Sequence, residues 1–166
     1  MSLLEIKKYP DPILKEVTRS VDVFDASLWK LLDNMGETMY EAGGIGLAAP
    51  QIGVLSQIAV IDVSREENSL IEFINPVIIS KQGKIKSEEG CLSIPDYRDT
   101  VQRATSVAVR AQNRNGKEFT LEAEELLSIC LQHEIDHLNG VLFIDHLSRL
   151  KRELFKRWFS KQKEEL

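Results

Sequence analysis

Cysteine is scarce in this chain. Only Cys91 and Cys130 occur among 166 residues, too few for a disulfide scaffold. Each thiol is therefore expected as a metal ligand or a core residue, in a reducing cytoplasm. Long apolar runs are missing too. No stretch approaches the ~20 residues a membrane span needs. The opening MSLLEIKKYPDPILKE has no extended apolar run behind its basic residues, so no signal peptide is expected. Repeats, low-complexity tracts and linkers are absent as well, which predicts one domain over residues 1–166. Positive charge is in deficit: 21 Lys and Arg face 26 Asp and Glu, a net charge of −5. That balance excludes a generic nucleic-acid binder, and no DNA partner is expected. What remains, 43% hydrophobic and 28% charged residues, is ordinary for a soluble globular protein.

Periodicity supplies the elements. Leu28, Leu31, Leu32, Met35, Met39 and Ala42 recur at helical spacing, predicting a helix over 25–42 that Asp25 or Ser27 caps and Gly43-Gly44 ends. The segments 57–63 and 71–79 are β-branched strands. Pro76 cannot donate to a ladder and places its strand at an edge or on a bulge. Val107, Val109 and Ala111 alternate, as do Phe119, Leu121 and Ala123. Asn113-Arg114-Asn115-Gly116 between them signals a hairpin. A helix over 124–139 is apolar on nearly every side, hence buried, with Gly140 as its stop. A third helix begins near Ser148 and runs to the end, with Leu150, Leu154, Phe155, Trp158 and Phe159 as its apolar stripe. The expected class is α+β: antiparallel sheets around the central buried helix, with a helix in the N-terminal half and another at the C-terminus.

That central helix carries His133-Glu134-Ile135-Asp136-His137. Residues four apart share a helix face, so both imidazoles can reach one metal ion, with Glu134 beside it as a general base for a bound water. Two histidines, a glutamate and an aspartate on an otherwise apolar helix would be costly to bury without such a partner. The third ligand lies elsewhere. Six residues after His137 stands Phe143, which cannot ligate, and His146 lies three residues further on, past the helix stop. Cys130 faces the right way but is seven residues from His137, about 10 Å along the axis at ~1.5 Å per residue; it reads as a pocket or core residue. Cys91 remains, in Glu88-Glu89-Gly90-Cys91-Leu92-Ser93. A thiolate, two imidazoles and a water make a four-coordinate catalytic site. Alone, Cys91 would read as a small core hydrophobe. A third segment, Gly43-Gly44-Ile45-Gly46-Leu47-Ala48-Ala49-Pro50-Gln51, permits close approach by another chain but lacks the Lys and Ser/Thr of a phosphate loop.

Together the three segments resemble the peptide deformylase family. Its motifs, G-hydrophobic-G-hydrophobic-A-A-x-Q, E-G-C-hydrophobic-S and H-E-hydrophobic-D-H, stand here in family order. They read Gly44-Ile45-Gly46-Leu47-Ala48-Ala49-Pro50-Gln51, Glu89-Gly90-Cys91-Leu92-Ser93 and His133-Glu134-Ile135-Asp136-His137. The terminal helix, without a long insertion near the second motif, is similar to the bacterial type I branch. The resemblance implies removal of the formyl group from formyl-methionine at the start of nascent polypeptides, releasing formate. It implies Cys91, His133 and His137 as ligands, Glu134 as the acid/base, and Gln51 with the Leu92 N–H facing the formyl oxygen. It also implies Fe(II), with Zn(II), Ni(II) or Co(II) tolerated, whereas a Cys-His-His set alone reads as zinc. Glu89 and Asp136 fit groups that orient the ligands. Leu126, Ile129 and Cys130 on the metal-facing side of the helix, with Ile45 opposite, fit a methionine slot; they equally fit plain core packing. Arg98 is implied at the pocket rim. Gly46 leaves room for the substrate backbone to pair along a strand edge. Two other readings compete: a metallopeptidase with the same helix motif that cuts peptide bonds, and a non-catalytic ribosome-associated module that kept its metal.

Charge is unevenly spread. From 149 to 163 the chain carries +6, leaving −11 for the rest. The basic helix reads either as a solvated face or as a contact to ribosomal RNA.

Overall fold

The computed structural model describes residues 2–164. Helix α1 (Ala26–Glu41) starts where the Asp25 side chain accepts from the Leu28 N–H, and Gly43 with φ 73° follows its end. Seven strands follow: β1 (Gly46–Ala48), β2 (Ile58–Ile61), β3 (Ile71–Gln82), β4 (Ile85–Cys91), β5 (Ile94–Arg103), β6 (Ser106–Gln112) and β7 (Glu118–Glu124). Helices α2 (Glu125–Leu138) and α3 (Arg149–Glu164) complete the order. The sequence places the third helix from Ser148 to the end; residues 165–166 lie outside the described part.

Five strands form one antiparallel sheet in the order β1-β2-β3-β6-β7, and β4 with β5 makes a separate two-stranded ribbon. The expected hairpin joins β6 to β7, with Gly116 at φ 80°. Pro76 sits on a bulge of β3, where the register shifts between Ile74 and Val77. The strand is central, so of the two readings the bulge is the one realised. The ribbon was not expected from periodicity, because its buried positions are partly polar: Glu89 and Arg103 are each 5% exposed.

Burial organises the layers. All four residues of β2 are buried, since α1 packs on one face and α2 on the other. Leu28, Leu32, Met35 and Met39 cluster with Ile58, Val60 and Ile74. Cys130, Leu131 and Ile135 cluster with Ile61, Phe73, Val107, Val109 and Ala123. The ribbon is held by a third cluster in which Ile94 and Val101 meet Phe143, Leu147 and Phe155 of the C-terminal region. Aliphatic burial of this extent contributes roughly 1.5–3 kcal/mol per large side chain. Helix α2 is thus enclosed, and its polar side chains must find partners inside. Gln132 does so at Ala104, accepting from its N–H at 2.9 Å and donating to its carbonyl at 2.9 Å.

Residues 2–8 form neither helix nor strand; Tyr9-Pro10, where the prolines suggest an extended chain, is a turn instead, and Pro12 opens a short 3-10 segment, Pro12–Lys15, as its fixed φ suits a first helical position. Before that 3-10 segment the N-terminal stretch ties two motif segments together. The Lys7 N–H donates to the Gln51 carbonyl at 2.6 Å, and the Tyr9 N–H to the Ser93 carbonyl at 2.8 Å. The glycine-rich loop is held by Asp62, whose N–H donates to the Ile45 carbonyl at 2.9 Å. The Asp62 carboxylate accepts from the Tyr40 hydroxyl at 2.6 Å. Burial works to raise that carboxyl, but hydrogen bonds from Ser64, Tyr40 and Ser69 outweigh it and hold it down at about 2. No helix is long and apolar enough to cross a membrane among the described residues.

Candidate active site

Three side chains from two elements converge on one point. Cys91 ends β4, His133 and His137 come from one face of α2, and the ligand-capable atoms of all three lie within 4.8 Å of one another. The Cys91 Sγ stands 3.4 Å from the His137 Nε2. Donors on one ion with bonds of ~2.0–2.3 Å lie about 3–4 Å apart, so the arrangement fits a metal, and three protein donors leave a fourth position open. Cys130 and His146 are not in this group.

The surroundings prepare each donor. The Ser93 N–H and the Gln51 Nε2 point at the Cys91 sulfur, at 3.4 and 3.5 Å, and fix its position beside the two imidazoles. Glu89 Oε1 lies 3.0 Å from the His133 Nδ1, which directs the opposite nitrogen to the cluster. Burial works against a charged His133, but bonding to Cys91 and Glu89 outweighs it and pushes its pKa well above 6.5. Burial and the neighbouring His133 push His137 well below that value, keeping its ring neutral and its lone pair free. A metal ion would take the place of the His133 proton, as ligand binding to metals generally releases protons.

Glu134 is 5% exposed, and its Oε1 has no hydrogen-bond partner. Burial, above all, raises its pKa to about 7; His133 and Arg103 pull it down while Glu89 and Asp136 push it up. A buried carboxyl poised near neutrality can take up and return a proton. Its neighbour is Gly46. A Cβ there would overlap the carboxylate oxygen and come within 2.9 Å of Cδ. The reason for glycine at this position is therefore the Glu134 carboxylate itself, a constraint that motif spacing alone does not reveal.

Gln51 sits in a 3-10 turn, Ala49–Ile52, after β1. The Ala48 N–H donates to its Oε1 at 2.9 Å, and its Nε2 donates to Ser93 Oγ at 3.1 Å. The amide N–H groups consequently face the cluster. Leu92 lies in the tight turn between β4 and β5. An open cleft of about 790 Å³ adjoins the cluster, lined by Ile45, Gly46, Leu92, Leu126, Ile129 and Cys130, with Arg98 among its lining residues. Cys130 is a thiol rather than a thiolate, since burial and the charges of Glu134 and Glu89 push it up to about 12. Arg98 lies at the exposed mouth, paired with Glu88 at 3.2 Å.

Asp136 touches neither ligating imidazole. It binds the Arg103 Nη1 at 2.6 Å and His146 Nε2 at 2.8 Å, and it reaches the cluster only through Arg103 and Glu89. Arg103 is the main residue that sequence reasoning missed. It binds both oxygens of Glu89, at 2.8 Å each, yet nothing in a single sequence marks one strand-end arginine as buried. Ser93, the partner of Gln51, was likewise unassigned, though it closes the Glu89-Gly90-Cys91-Leu92-Ser93 motif.

The chain is similar to known proteins over nearly its whole length. The family model described as polypeptide deformylase matches residues 3–153. A peptide deformylase of Thermodesulfovibrio yellowstonii is 54% identical over 165 residues, covering 98% of this chain and 100% of that protein. The crystal structure of a peptide deformylase from Legionella pneumophila superposes with a TM-score of 0.93 at 47% identity, covering 98% of this chain and 96% of the other. That of Ehrlichia chaffeensis, in complex with actinonin, gives 0.91 at 41% identity, covering 98% of each chain.

Proposed function

This chain belongs to the peptide deformylase family, and we propose from that premise how its residues divide the work. The reaction is removal of the formyl group from formyl-methionine at the start of new polypeptides, by a metal-dependent hydrolase acting on a linear amide. Cleavage of peptide bonds and a purely structural metal site are the readings set aside. In our assignment Cys91, His133 and His137 hold one divalent ion, Fe(II) in the cell, with Zn(II), Ni(II) or Co(II) able to replace it. When bound there, such an ion would supply Lewis acidity to a water and to the formyl carbonyl.

The remaining steps fall to the chain. Glu134 accepts the proton of the attacking water and later delivers it to the departing amine. The Gln51 amide and the Leu92 N–H donate to the formyl oxygen as negative charge grows on it, each contributing ~3 kcal/mol by analogy with other oxyanion holes. Glu89 fixes the ring of His133. The methionine side chain enters the apolar slot of Ile45, Leu126, Ile129 and Cys130, the peptide backbone runs along the edge strand at Gly46, and Arg98 meets the chain beyond. Residues 1–166 act as one catalytic domain in the cytoplasm. Helix α3, with seven exposed basic side chains against one acid between Arg149 and Lys163, contacts ribosomal RNA; that contact rests on its charge alone.

The observation that carries this reading is the convergence of Cys91, His133 and His137 beside a buried carboxyl poised near neutrality. The test is formate release from formyl-Met-Ala, assayed anaerobically with Fe(II). Glu134→Ala should lower turnover by about 10²–10⁴-fold, the usual contribution of a positioned acid/base, with metal content unchanged. Parent-like turnover in that variant would remove Glu134 from its role.

A further inference from the structure

The third histidine of the chain stands outside the cluster but is wired to it. A line of contacts runs from His133 Nδ1 to Glu89 (3.0 Å), from Glu89 to the Arg103 fork (2.8 and 2.8 Å), from Arg103 Nη1 to Asp136 (2.6 Å), and from Asp136 to His146 Nε2 (2.8 Å). Its inner members Glu89 and Arg103 are buried, the Asp136 side chain is 25% exposed and that of His146 is 39% exposed. The line therefore connects a metal-ligating ring to the surface.

Each link leaves the previous one with few alternatives. Arg103 has two N–H groups committed to Glu89, so its position fixes that carboxylate. A third N–H is committed to Asp136. Asp136 Oδ2 accepts from both Arg103 and His146, and it lies toward solvent, where no other side chain among the described residues bonds to it. His146 Nε2 must carry a proton to donate to that oxygen, and it does so whether the ring is neutral or charged. It also lies 3.5 Å from Arg103 Nη1, but a ring nitrogen whose proton faces Asp136 has no free lone pair with which to accept from that N–H.

The same short segment braces His133 a second time. His146 ends the 3-10 turn Phe143–His146, and the ring of Phe143, at its start, stacks on the His133 imidazole with centroids 6.2 Å apart and planes 24° apart. The turn is itself anchored: Asp145 accepts from the Leu142 N–H at 2.8 Å and pairs with Lys15 at 2.6 Å. One rigid turn thus presses on the ligand ring directly and reaches its far nitrogen through three intermediaries.

We propose that His146 is a positioning residue for the metal centre. It holds Asp136 against Arg103, and through Glu89 it fixes the orientation and tautomer of His133. The inference rests on the ligand set assigned above and goes beyond it, since His146 contacts neither the cluster nor the cleft. Its effect should be smaller than that of a group bonded directly to a ligand, whose loss costs about 10–100-fold in metal affinity.

The test is the zinc affinity of the purified protein by chelator competition, alongside the d–d spectrum of the Co(II) form and the unfolding temperature of the metal-free protein. His146→Ala should weaken zinc binding about 3–10-fold and alter the Co(II) spectrum, with the metal-free unfolding temperature unchanged. His146→Gln, whose amide N–H can donate to Asp136, should stay within about twofold of the parent. In an Asp136→Asn background His146→Ala should have no further effect. Parent-like zinc affinity in His146→Ala overturns the proposal. So does equal impairment in His146→Gln, or a full additional loss on top of Asp136→Asn. Cys91→Ala separates this from failure of the ligand assignment: retained full zinc stoichiometry there would sink the site itself, whatever His146 does.

Discussion

Gly46→Ala introduces a single methyl group, and the structure says where that group lands. Residue 46 is paired with Ile61 at the edge of the sheet, so the backbone has little room to retreat. The new Cβ would overlap one oxygen of Glu134 and sit 2.9 Å from its Cδ and 3.1 Å from its Cγ. Ordinary contact begins near 3.4 Å, so the carboxylate must withdraw by roughly half to one ångström. Glu134 is 5% exposed, and a buried side chain pushed aside costs about 1–3 kcal/mol in stability. The catalytic cost should be larger, because misplacement by ~1 Å can lower turnover 10²-fold. The expected result on formyl-Met-Ala is a kcat reduced by about 10²-fold at nearly constant KM, with one metal per chain retained. If Gly46 serves only to admit the substrate backbone, KM should rise and kcat hold. The double variant Gly46→Ala, Glu134→Asp offers a second check. The shorter acid removes the atoms in closest overlap and leaves the 3.1 Å contact at Cγ, so the two effects should be non-additive. Additive losses, or activity within twofold of the parent for Gly46→Ala, would refute the steric reasoning.

Two further outcomes concern the periphery of the site. Asp62→Asn removes the charge from a carboxylate that accepts four hydrogen bonds and should cost about 2 kcal/mol at pH 7. The folded pKa, about 2, lies below the ordinary 3.8. The stabilisation is therefore complete above pH 4 and lost as pH falls through about 2, so urea midpoints of parent and variant should converge toward pH 2; a gap independent of pH would contradict the assignment. On α3, Phe155 is 1% exposed and packs against Tyr9 and Tyr97, so deleting the helix would uncover the core. Lys156→Glu with Arg157→Glu and Lys161→Glu alters only exposed positions. It should weaken ribosome co-sedimentation and flatten its salt dependence, leaving formyl-Met-Ala turnover as it was; an unchanged salt slope leaves α3 a solvated, core-packing helix.

Much of this architecture was legible in the chain. Helices α1 and α2, the β6–β7 hairpin and the histidine pair of the cluster all carry patterns that survive without context: a 3.6-residue apolar repeat, an Asn-Gly turn, and histidines four apart; Cys91 carries none and is legible only beside that pair. The β4–β5 ribbon was not legible, because its interior is bought with charge rather than apolar area. Glu89 and Arg103 occupy inward positions where a hydrophobic alternation would place Val or Ile, and only their mutual pairing makes that burial tolerable. The role of Gly46 was hidden for a related reason. Its neighbour in space, Glu134, lies 88 positions away, and no local rule couples the two. His146 was weighed as a ligand from its residue type, whereas its partner is decided by a 3-10 turn whose geometry the sequence does not announce.

The clasp made by the N-terminal stretch has a consequence for assembly. Lys7 and Tyr9 tie down Gln51 and Ser93, while the ring of Tyr9 packs edge-on against Phe155 and Phe159 at 5.1 and 4.9 Å. Rings 146 and 150 positions apart thus brace one another. Contacts of such separation carry a loop-closure cost that must be met before they are rewarded, so the walls around the cluster are set only once α3 has docked. The cluster owes its shape to the longest-range contacts in the fold as much as to the motifs that supply its donors.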